Sequence, residues 1–370
     1  MKKLLTLSIL PFLVCCKQQT VKDSDNGNGD AVIQDTVIIA PLDSGNVFYK
    51  NKEPFGEIIE LKGTHIEGDT FIFKVQGSQM LVRDNKLVYG SHWGDKPFII
   101  FDLPSLMFEK HAKGTKGQGP DEFMYPTLVP TTDTTILCYA FEMTNQKLYK
   151  LYASGEMSYF PFNLSPAAQS KSSDKQIVNV ASDDFMYVET SKTGKSIFRT
   201  TKVGDSIVTR EIYNLGLNPK RKSWANYIGD FAVNPQKDRM VYAYKYLKII
   251  KFMDMEARTV KTIDFERGEF DEGTLRVADG MDQNVTHYWG VSAGKDFVYF
   301  LYSGRTPPQV MNENNKQIFY IFLEQYDWNG NPVRKFKLDR WGYFTVDEEN
   351  KKIYLASTND DDPFFVFQLE

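Results

Sequence analysis

Cysteine and histidine are scarce in this sequence of 370 residues, which contains three cysteines and four histidines. Two of the cysteines are adjacent near the N-terminus, so Cys138 alone remains in the rest of the chain. One cysteine can form neither an intramolecular disulfide nor a cysteine-based metal site, and we expect Cys138 to be a small buried hydrophobe. The histidines lack the spacing of metal ligands (His65, His92, His111 and His287). The sequence therefore predicts no metal site and no bound cofactor.

An excess of charge is also lacking, because the formal net charge is only −4. Such a weak charge gives neither the basic surface that binds nucleic acid nor a cationic patch for a membrane. We expect no nucleic-acid partner, and we expect any association with a membrane to depend on a lipid. No apolar run beyond the N-terminal segment is long enough to span a bilayer.

The N-terminal segment has the layout of a secretory signal. Two lysines precede an apolar run that is too short to span a bilayer, and Cys15 and Cys16 follow it. The stretch LVCC at 13–16 resembles the lipobox of bacterial lipoproteins. The resemblance implies a signal peptide at residues 1–15 and acylation of Cys16; the alternatives are acylation of Cys15 and a signal without a lipid. The polar residues at 16–45 are predicted to form a flexible tether.

Helical periodicity is hard to find after the tether. Short aromatic and β-branched runs recur instead, separated by turn residues. Grouped in fours, the runs form units of about 40–55 residues, which is the length of a propeller blade. A final unit of three strands reaches the C-terminus, and the five units before it lie at 72–112, 123–165, 176–217, 228–266 and 286–339.

A ring of such blades must also be closed, because an open ring would expose sheet edges. An unpaired run at 53–64 can supply the missing outer strand of the final unit. The sequence therefore predicts an all-β fold at residues 46–370, a six-bladed β-propeller of four-stranded antiparallel blades. The ring is expected to close by an N-terminal strand that completes the last blade, and five or seven blades are the alternatives.

Two glycine-rich stretches invite comparison with a phosphate loop, which needs Gly-x4-Gly-Lys-Ser/Thr before a helix. No Gly-Lys-Ser follows Gly114 in GTKGQGPDEFMYP at 114–126, and KTGKS at 192–196 has Glu189 where the upstream glycine is required. We predict that 192–196 forms a hairpin turn. We predict that 114–126 connects the first two blades.

The connecting stretch carries two adjacent carboxylates, Asp121 and Glu122, before Phe123. We predict that one carboxylate holds the loop through backbone N–H groups, while Phe123 fills the space between blades. An acid/base or metal-binding pair is the alternative. The acidic run at 360–362 is predicted to be a solvated hairpin turn, with calcium binding as its alternative.

The segment from Gly117 to Phe123, with Pro126 after it, resembles the connecting segment of NHL-type propellers. Together with FVYFLYSGRTP at 297–307 and YDWNGNP at 326–332, it is similar to the TolB-like six-bladed propeller lipoproteins of Gram-negative bacteria. The resemblance implies the propeller fold and a lipid-anchored location at the outer membrane, on its periplasmic side or at the cell surface. It implies no reaction and no catalytic residues.

Propeller geometry puts the turn between the second and third strands of each blade on the same face as the crossovers between blades. We call this the loop-rich face. Arg305 is predicted to contact an anion or carboxylate, and Trp93 and Tyr246 are predicted to stack against a ligand. The segment at 304–317 is expected to be a loop that covers the central opening or a surface insertion. The predicted ligand contacts are His92, Trp93, Asp95, Lys116, Asp121, Glu142, Tyr246, Arg305 and Asp360.

A face rich in aromatic and charged side chains is typical of a recognition surface. The sequence therefore predicts a binding module for a peptide, a glycan or a partner protein of the cell envelope. The main alternative is an envelope hydrolase or lyase with its site at the central opening, and a scaffold is a third. The sequence shows no serine-hydrolase elbow and no other set of a nucleophile with its base.

Overall fold

The computed structural model describes residues 46–48, 54–67, 74–119, 121–164, 176–191, 194–217, 225–265, 277–278 and 280–369. The predicted signal peptide, Cys16 and the predicted tether lie outside the described residues, as do Lys192 and Thr193 of the predicted hairpin turn. In the described part of the chain, none of the helices is both long enough and apolar enough to cross a bilayer.

Six antiparallel sheets follow one another along the chain, which confirms the predicted six-bladed propeller of four-stranded blades. In blades 1 to 3 the strands are Gln79–Arg83, Lys86–Gly90, Phe98–Asp102 and Met107–His111; Pro126–Val129, Cys138–Glu142, Lys147–Leu151 and Met157–Phe160; Gln176–Ala181, Asp184–Ser191, Gly194–Val203 and Ser206–Asn214. In blades 4 and 5 they are Gly229–Asn234, Arg239–Tyr244, Ile249–Met253 and Thr259–Asp264; Thr286–Ala293, Phe297–Arg305, Ile321–Asp327 and Pro332–Leu338. Blade 6 contains Gly342–Asp347, Lys352–Ser357, Phe364–Gln368 and, from the N-terminal region, Thr64–His65.

Smaller elements lie between the blades. They are the short strands Thr115–Lys116, Glu122–Phe123, Val277–Ala278 and Met281–Asp282 and the 3-10 turn Ala225–Tyr227. Two others lie within a blade: the 3-10 turn Pro235–Lys237 joins the first two strands of blade 4, and the α-helix Pro307–Asn315 lies between the second and third strands of blade 5.

The N-terminal region closes the ring, as predicted. Thr64–His65 pairs antiparallel with Phe364–Gln368 and so supplies the outer strand of blade 6. Most of the run at 53–64 does not pair with the last blade as predicted: its strand Ile58–Leu61 runs parallel to the outer strand of blade 5. The strand Asn46–Phe48, which was not expected, runs parallel to the outer strand of blade 4. The region therefore lines the outer edges of three successive blades.

Apolar packing between neighbouring blades explains why the second strands are so strongly hydrophobic. Cys138–Glu142 is buried along its whole length because its sheet has a neighbour on each side. Cys138 itself is fully buried and forms no disulfide, which confirms the prediction of a buried hydrophobe. Val88, Phe98 and Leu128 lie in the same cluster, between blades 1 and 2.

Hydrogen bonds join every pair of neighbouring blades near the inner strands, which contact one another all the way round. Between five pairs of blades, a side chain of one blade accepts a hydrogen bond from a backbone N–H group in the next blade or in the segment leading to it. Between blades 2 and 3, the Pro130 carbonyl accepts the Asn179 N–H group at 2.9 Å. The accepting side chains, each given with the N–H group that donates to it, are Gln79 with Leu128 N (2.6 Å), Gln176 with Phe231 N (2.5 Å), Asp230 with Gly290 N (2.7 Å), Ser292 with Val346 N (2.9 Å) and Tyr343 with Gly77 N (2.7 Å).

The glycine-rich stretch forms the crossover between blades 1 and 2. Thr115–Lys116 pairs with Glu122–Phe123, and the Glu122 carboxylate accepts the Gly119 N–H group at 2.8 Å. A Cβ atom on Gly117 would lie 1.9 Å from Glu122 Oε2, so a larger residue there would displace the carboxylate from its present position. The predicted structural role of this loop is confirmed.

Phe123 fills the space between the two blades, as predicted. It is 2% exposed, and its ring packs edge-on against Phe98 and Tyr149 with centroid distances of 5.1 Å in both cases. The Tyr149 hydroxyl donates to Asp121 at 3.3 Å, so this second carboxylate of the crossover also contacts the protein.

Candidate functional site

The loop-rich face carries the predicted ligand contacts in separate groups. Around blade 1, Trp93, Asp95 and Lys116 lie together: Lys116 N–H donates to the Asp95 carbonyl at 3.0 Å, and Lys116 Nζ lies 5.8 Å from the Trp93 ring centroid. The Trp93 ring is 42% exposed, and its N–H group donates to the Gln76 carbonyl at 2.8 Å. Lys74 Nζ lies 4.9 Å from the same ring. We call Lys74, Trp93, Asp95 and Lys116 the blade 1 surface.

Glu142 and His92 lie next to this surface, and each contacts other residues of the protein. Glu142 is 1% exposed, and its carboxylate accepts the backbone N–H groups of Met124 (2.8 Å), Tyr125 (3.0 Å) and Thr144 (2.9 Å). The His92 ring packs against the Tyr125 ring at 6.0 Å, and burial lowers the pKa of His92. Glu142 thus holds the approach to blade 2 against a loop of the same blade.

Arg305 is also engaged inside the protein. Its guanidinium lies 3.9 Å from the centroid of the Tyr320 ring, donates to the Tyr320 carbonyl at 2.6 Å and pairs with Glu313 of the helix Pro307–Asn315. Contact with an external anion stays a prediction, and the structure places Arg305 where it anchors this helix.

The segment at 304–317, which was predicted to be a loop, is mostly helical, because it contains the helix Pro307–Asn315. Thr306 and Gln309 form a capping box, and prolines occupy the first helical turn. The prediction was wrong because the two prolines and the asparagines were read as loop residues, whereas prolines are tolerated in the first helical turn.

Asp360 lies beside blade 6. Ser357 Oγ donates to its carboxylate at 2.6 Å, and Arg340 Nε lies at 3.4 Å. The neighbouring Asp362 pairs with His65 of the closing strand at 3.2 Å. Within the described ranges, no cluster of three or more histidine, cysteine or acidic side chains is arranged to hold a metal ion.

Tyr246, the remaining predicted contact, lies in a group near the inner strands of blades 4 and 5. We call Asp230, Lys245, Tyr246, Asp282 and Trp289 the central cluster. The first strand of each blade starts on the loop-rich face and lines the central opening of the ring. Asp230 and Trp289 belong to these inner strands, and Lys245 follows the second strand of blade 4 on the same face.

Lys245 is held in place by its backbone. Its N–H group donates to the Ile228 carbonyl at 2.9 Å, and its own carbonyl accepts the His287 N–H group at 2.7 Å. The ammonium lies 5.1 Å from the centroid of the Tyr246 ring and 5.8 Å from that of the Trp289 ring. Among the described residues this ammonium forms no hydrogen bond or ion pair. Burial lowers the pKa of Lys245, while the charges of two nearby carboxylates oppose the shift.

Those two carboxylates belong to Asp230 and Asp282, and each accepts hydrogen bonds from the protein. Asp230 accepts from Gly290 N at 2.7 Å and from the Gln176 side chain at 3.1 Å. Burial raises the pKa of Asp230, whereas these two bonds and the charge of Lys245 lower it. Asp230 therefore links blade 4 to its two neighbours and also faces the electrostatic field of Lys245.

Asp282 connects the cluster to the crossover between blades 4 and 5. It accepts the Tyr246 hydroxyl at 2.7 Å, and it accepts the backbone and side-chain N–H groups of Asn284 at 2.8 and 2.6 Å. Burial and the hydrogen bond to Asp282 raise the pKa of Tyr246, which therefore keeps its proton. The Tyr246 ring is fixed by this bond.

An aromatic wall extends from the cluster toward blade 6. The Trp289 ring contacts the Trp341 ring at 5.7 Å and the Tyr343 ring at 6.1 Å. All three rings are half-buried. The Trp341 indole N–H group finds no hydrogen-bond acceptor within the described part of the chain. Two polar donors on this side of the ring, Lys245 and Trp341, thus have no acceptor among the residues that the structure describes.

Sequence reasoning found Tyr246 but missed Asp230, Asp282 and Trp289. One feature of the sequence could have indicated this site: Asp230 places a carboxylate between a glycine and a run of apolar residues, at the start of an inner strand. The crossover that contains Asp282 had no clear pattern, so its approach to Tyr246 could not be read from the sequence.

An open depression of about 500 Å3 lies elsewhere, at the outer edge of blade 5. Its lining is Ile58, Glu60, Ile318, Tyr320, Phe322 and Lys337. It shares no residue with the central cluster or with the blade 1 surface, and an ion pair between Glu60 and Lys337 (2.8 Å) crosses it.

Comparison with known proteins gives a family and a fold. A family model described as a TolB-like 6-blade propeller matches residues 54–349. No curated protein is similar in sequence. Among solved structures, a member of the DUF4221 family from Bacteroides vulgatus is 10% identical with a TM-score of 0.57; the match covers 86% of this chain and 99% of that one. A protein from Bacteroides fragilis described as exported is 11% identical with a TM-score of 0.50, over 87% of this chain and 98% of that one. At these identities the similarity concerns the fold alone.

Proposed function

The chain belongs to the TolB-like six-blade propeller family, and we propose that it is a ligand-binding module whose site is the central cluster. Propellers commonly hold their sites at the central opening, where loops of several blades converge. The central cluster combines residues of two blades and of the crossover between them. It offers rings for stacking, carboxylates as acceptors and an ammonium as donor.

Lys245 is the observation that carries the proposal. A half-buried ammonium loses hydration, and proteins normally compensate that loss with a carboxylate partner or a carbonyl acceptor. Lys245 has neither among the described residues, and its ammonium lies near two aromatic rings. Its backbone is fixed by hydrogen bonds on both sides, so the fold sets the point from which the side chain extends. An acceptor supplied by a ligand would complete the coordination of the ammonium.

The blade 1 surface is a second contact area in this proposal. Trp93 is exposed and its ring is oriented by the bond to Gln76, which preorganises it for stacking. A ligand larger than one ring could contact both areas across the opening. Glu142, by contrast, acts within the fold because three backbone donors already occupy its carboxylate.

The proposal also includes the location. The sequence pattern at 1–16 supports export, acylation of Cys16 and attachment to the outer membrane, from which the propeller would extend on a tether. The partners that fit this location are a peptide, a glycan or another protein of the envelope.

Direct binding measurements test the proposal. The purified protein is titrated with neutral oligosaccharides, oligouronates and short peptides, and heat of binding and thermal midpoint are recorded. We expect one of these classes to bind the wild type and to lose most of its affinity for Lys245→Met, which keeps the apolar stem and removes the charge.

A matched control is Lys147→Met, since Lys147 also lies over an aromatic ring, Tyr159 at 5.6 Å, but in blade 2. Binding that survives Lys245→Met unchanged, or the absence of binding by all three classes, would contradict the proposal.

The alternative of a hydrolase or lyase is favoured by one feature of the same cluster. Burial lowers the pKa of Lys245 and raises the pKa of Asp230, and such opposed shifts are typical of acid and base pairs in active sites. If the protein turns over a glycosidic, ester or lactone substrate and Lys245→Met abolishes that turnover, the protein is an enzyme and not a binding module.

A further inference from the structure

We propose that the ligand of the central cluster is a neutral oligosaccharide. One of its sugar rings stacks on Trp289 of the aromatic wall, and the hydroxyl groups of that ring form hydrogen bonds with Lys245 and with the carboxylates of Asp230 and Asp282. This inference rests on the proposed function and narrows it to one class of ligand.

The balance of charge in the cluster favours a neutral ligand. One ammonium, Lys245, lies within the electrostatic influence of two carboxylates, Asp230 and Asp282. An anionic ligand would be attracted by the ammonium and repelled by both carboxylates, and a cationic ligand would compete with Lys245 for them. A neutral polar group can bond to all three without adding a charge to a half-buried place.

The hydrogen-bonding groups of the cluster match hydroxyl groups in particular. A hydroxyl both donates and accepts. Lys245 can donate and has no acceptor among the described residues. The carboxylate of Asp230 accepts two bonds from the protein, and a carboxylate has about four lone-pair sites, so it can accept more. A ring that carries several hydroxyls in fixed directions can therefore satisfy donor and acceptors at once.

The aromatic wall supplies the other half of the recognition. A pyranose ring has an apolar face of C–H groups and a polar rim of hydroxyls, and the half-buried Trp289 ring lies 5.8 Å from Lys245 Nζ. Indole rings are large, rigid and apolar on their faces, so a sugar can stack there while its rim reaches the polar groups. Trp341 and Tyr343 lengthen the wall toward blade 6, which gives room for a second sugar unit.

Calorimetric titration of the whole mature chain with maltohexaose, chitohexaose and hexagalacturonate tests this inference. We expect one of the two neutral hexasaccharides to bind. Trp289→Ala and Lys245→Met should each weaken that binding about tenfold or more, while Lys147→Met should change it by less than about twofold. Trp289→Phe, which keeps a stacking ring, should bind with an affinity between those of wild type and Trp289→Ala.

The outcomes separate this inference from the proposed function. If hexagalacturonate or a peptide binds in a Lys245-dependent way and neither neutral sugar binds, the module stands and the ligand class is overturned. If a neutral sugar binds equally well to Trp289→Ala that retains the wild-type thermal midpoint, the stacking site is overturned. If Trp289→Ala does not fold, the binding of the neutral sugar is compared in Trp289→Phe and Lys245→Met instead. Unchanged affinity of both variants overturns the inference.

Discussion

Glu142 and Lys245 are charged side chains of the loop-rich face with opposite surroundings. Glu142 accepts three backbone N–H groups and is 1% exposed, so its charge is compensated by the fold. The Lys245 ammonium meets aromatic rings and no anion among the described residues. Because only the second side chain has unused bonding capacity, the two residues are expected to respond differently to substitution.

Replacing Glu142 by alanine should destabilise the protein by about 2–4 kcal/mol, because three backbone N–H groups lose the charged acceptor that a buried side chain supplies. Urea denaturation of the purified protein measures this change in the free energy of unfolding. Glu156→Ala is the control: Glu156 is an exposed partner of Lys113, and its removal should cost about 0–1 kcal/mol. Equal effects of the two substitutions would contradict the bracing role of Glu142.

His287 should make the stability of the protein depend on pH. Burial, together with the charge of Lys248, lowers the pKa of His287 from 6.5 to about 4. The unfolded chain therefore binds a proton between about pH 6.5 and pH 4 that the folded chain does not, so the free energy of unfolding falls as pH falls through this window.

Urea titrations at several pH values test this, with His287→Gln as the comparison. The loss of stability between pH 6.5 and 4 should be smaller in the variant by roughly 2–3 kcal/mol, because its side chain does not titrate. An identical pH dependence of wild type and variant would show that the buried imidazole is not the cause.

At the scale of elements, the blades and the closure of the ring by an N-terminal strand were predictable, whereas the pairing of two other N-terminal strands was not. The blade boundaries followed from turn residues at regular spacing between apolar runs, and these signals are local. Asn46–Phe48 and Ile58–Leu61 pair with strands more than two hundred residues away, and their parallel pairing depends on which outer edges the closed ring presents. The helix Pro307–Asn315 was missed although its capping box is local, because the prolines were assigned to a loop.

Removing these N-terminal strands should destabilise the ring. A fragment of residues 46–370 retains every described strand and should unfold at the midpoint of the mature chain. A fragment of residues 67–370 lacks the strands on blades 4, 5 and 6, exposes their edges and should unfold at lower temperature and self-associate. Calorimetry and light scattering compare the two, and equal midpoints without aggregation would show that the ring is closed without these strands.

The candidate site shows the same limit of sequence reasoning at the scale of the whole molecule. Asp230, Lys245, Asp282 and Trp289 are separated along the chain and meet because two inner strands and a crossover converge. Tyr246 could be placed on the loop-rich face from strand counting alone, but its bond to Asp282 could not. Arg305 was predicted to lie in a loop, but it is the last residue of a strand, and Glu313 and Tyr320 engage its guanidinium.

The proposed attachment to the membrane is also a property of the whole molecule. Cys16→Ala should move the protein from the membrane fraction to the soluble fraction of the envelope, because a net charge of −4 gives no electrostatic attraction to anionic lipid. Fractionation of cells followed by immunoblotting measures this. Retention of Cys16→Ala with the membrane, when Cys15→Ala behaves as the wild type, would exclude the proposed anchor.

A crystal structure of the protein grown with the neutral hexasaccharide would show directly whether a sugar occupies the central cluster. We expect electron density for a sugar ring against Trp289, with a hydroxyl group within hydrogen-bonding distance of Lys245 Nζ. Density for the sugar only on the blade 1 surface or in the depression at the outer edge of blade 5, with the central cluster unchanged, would contradict this expectation.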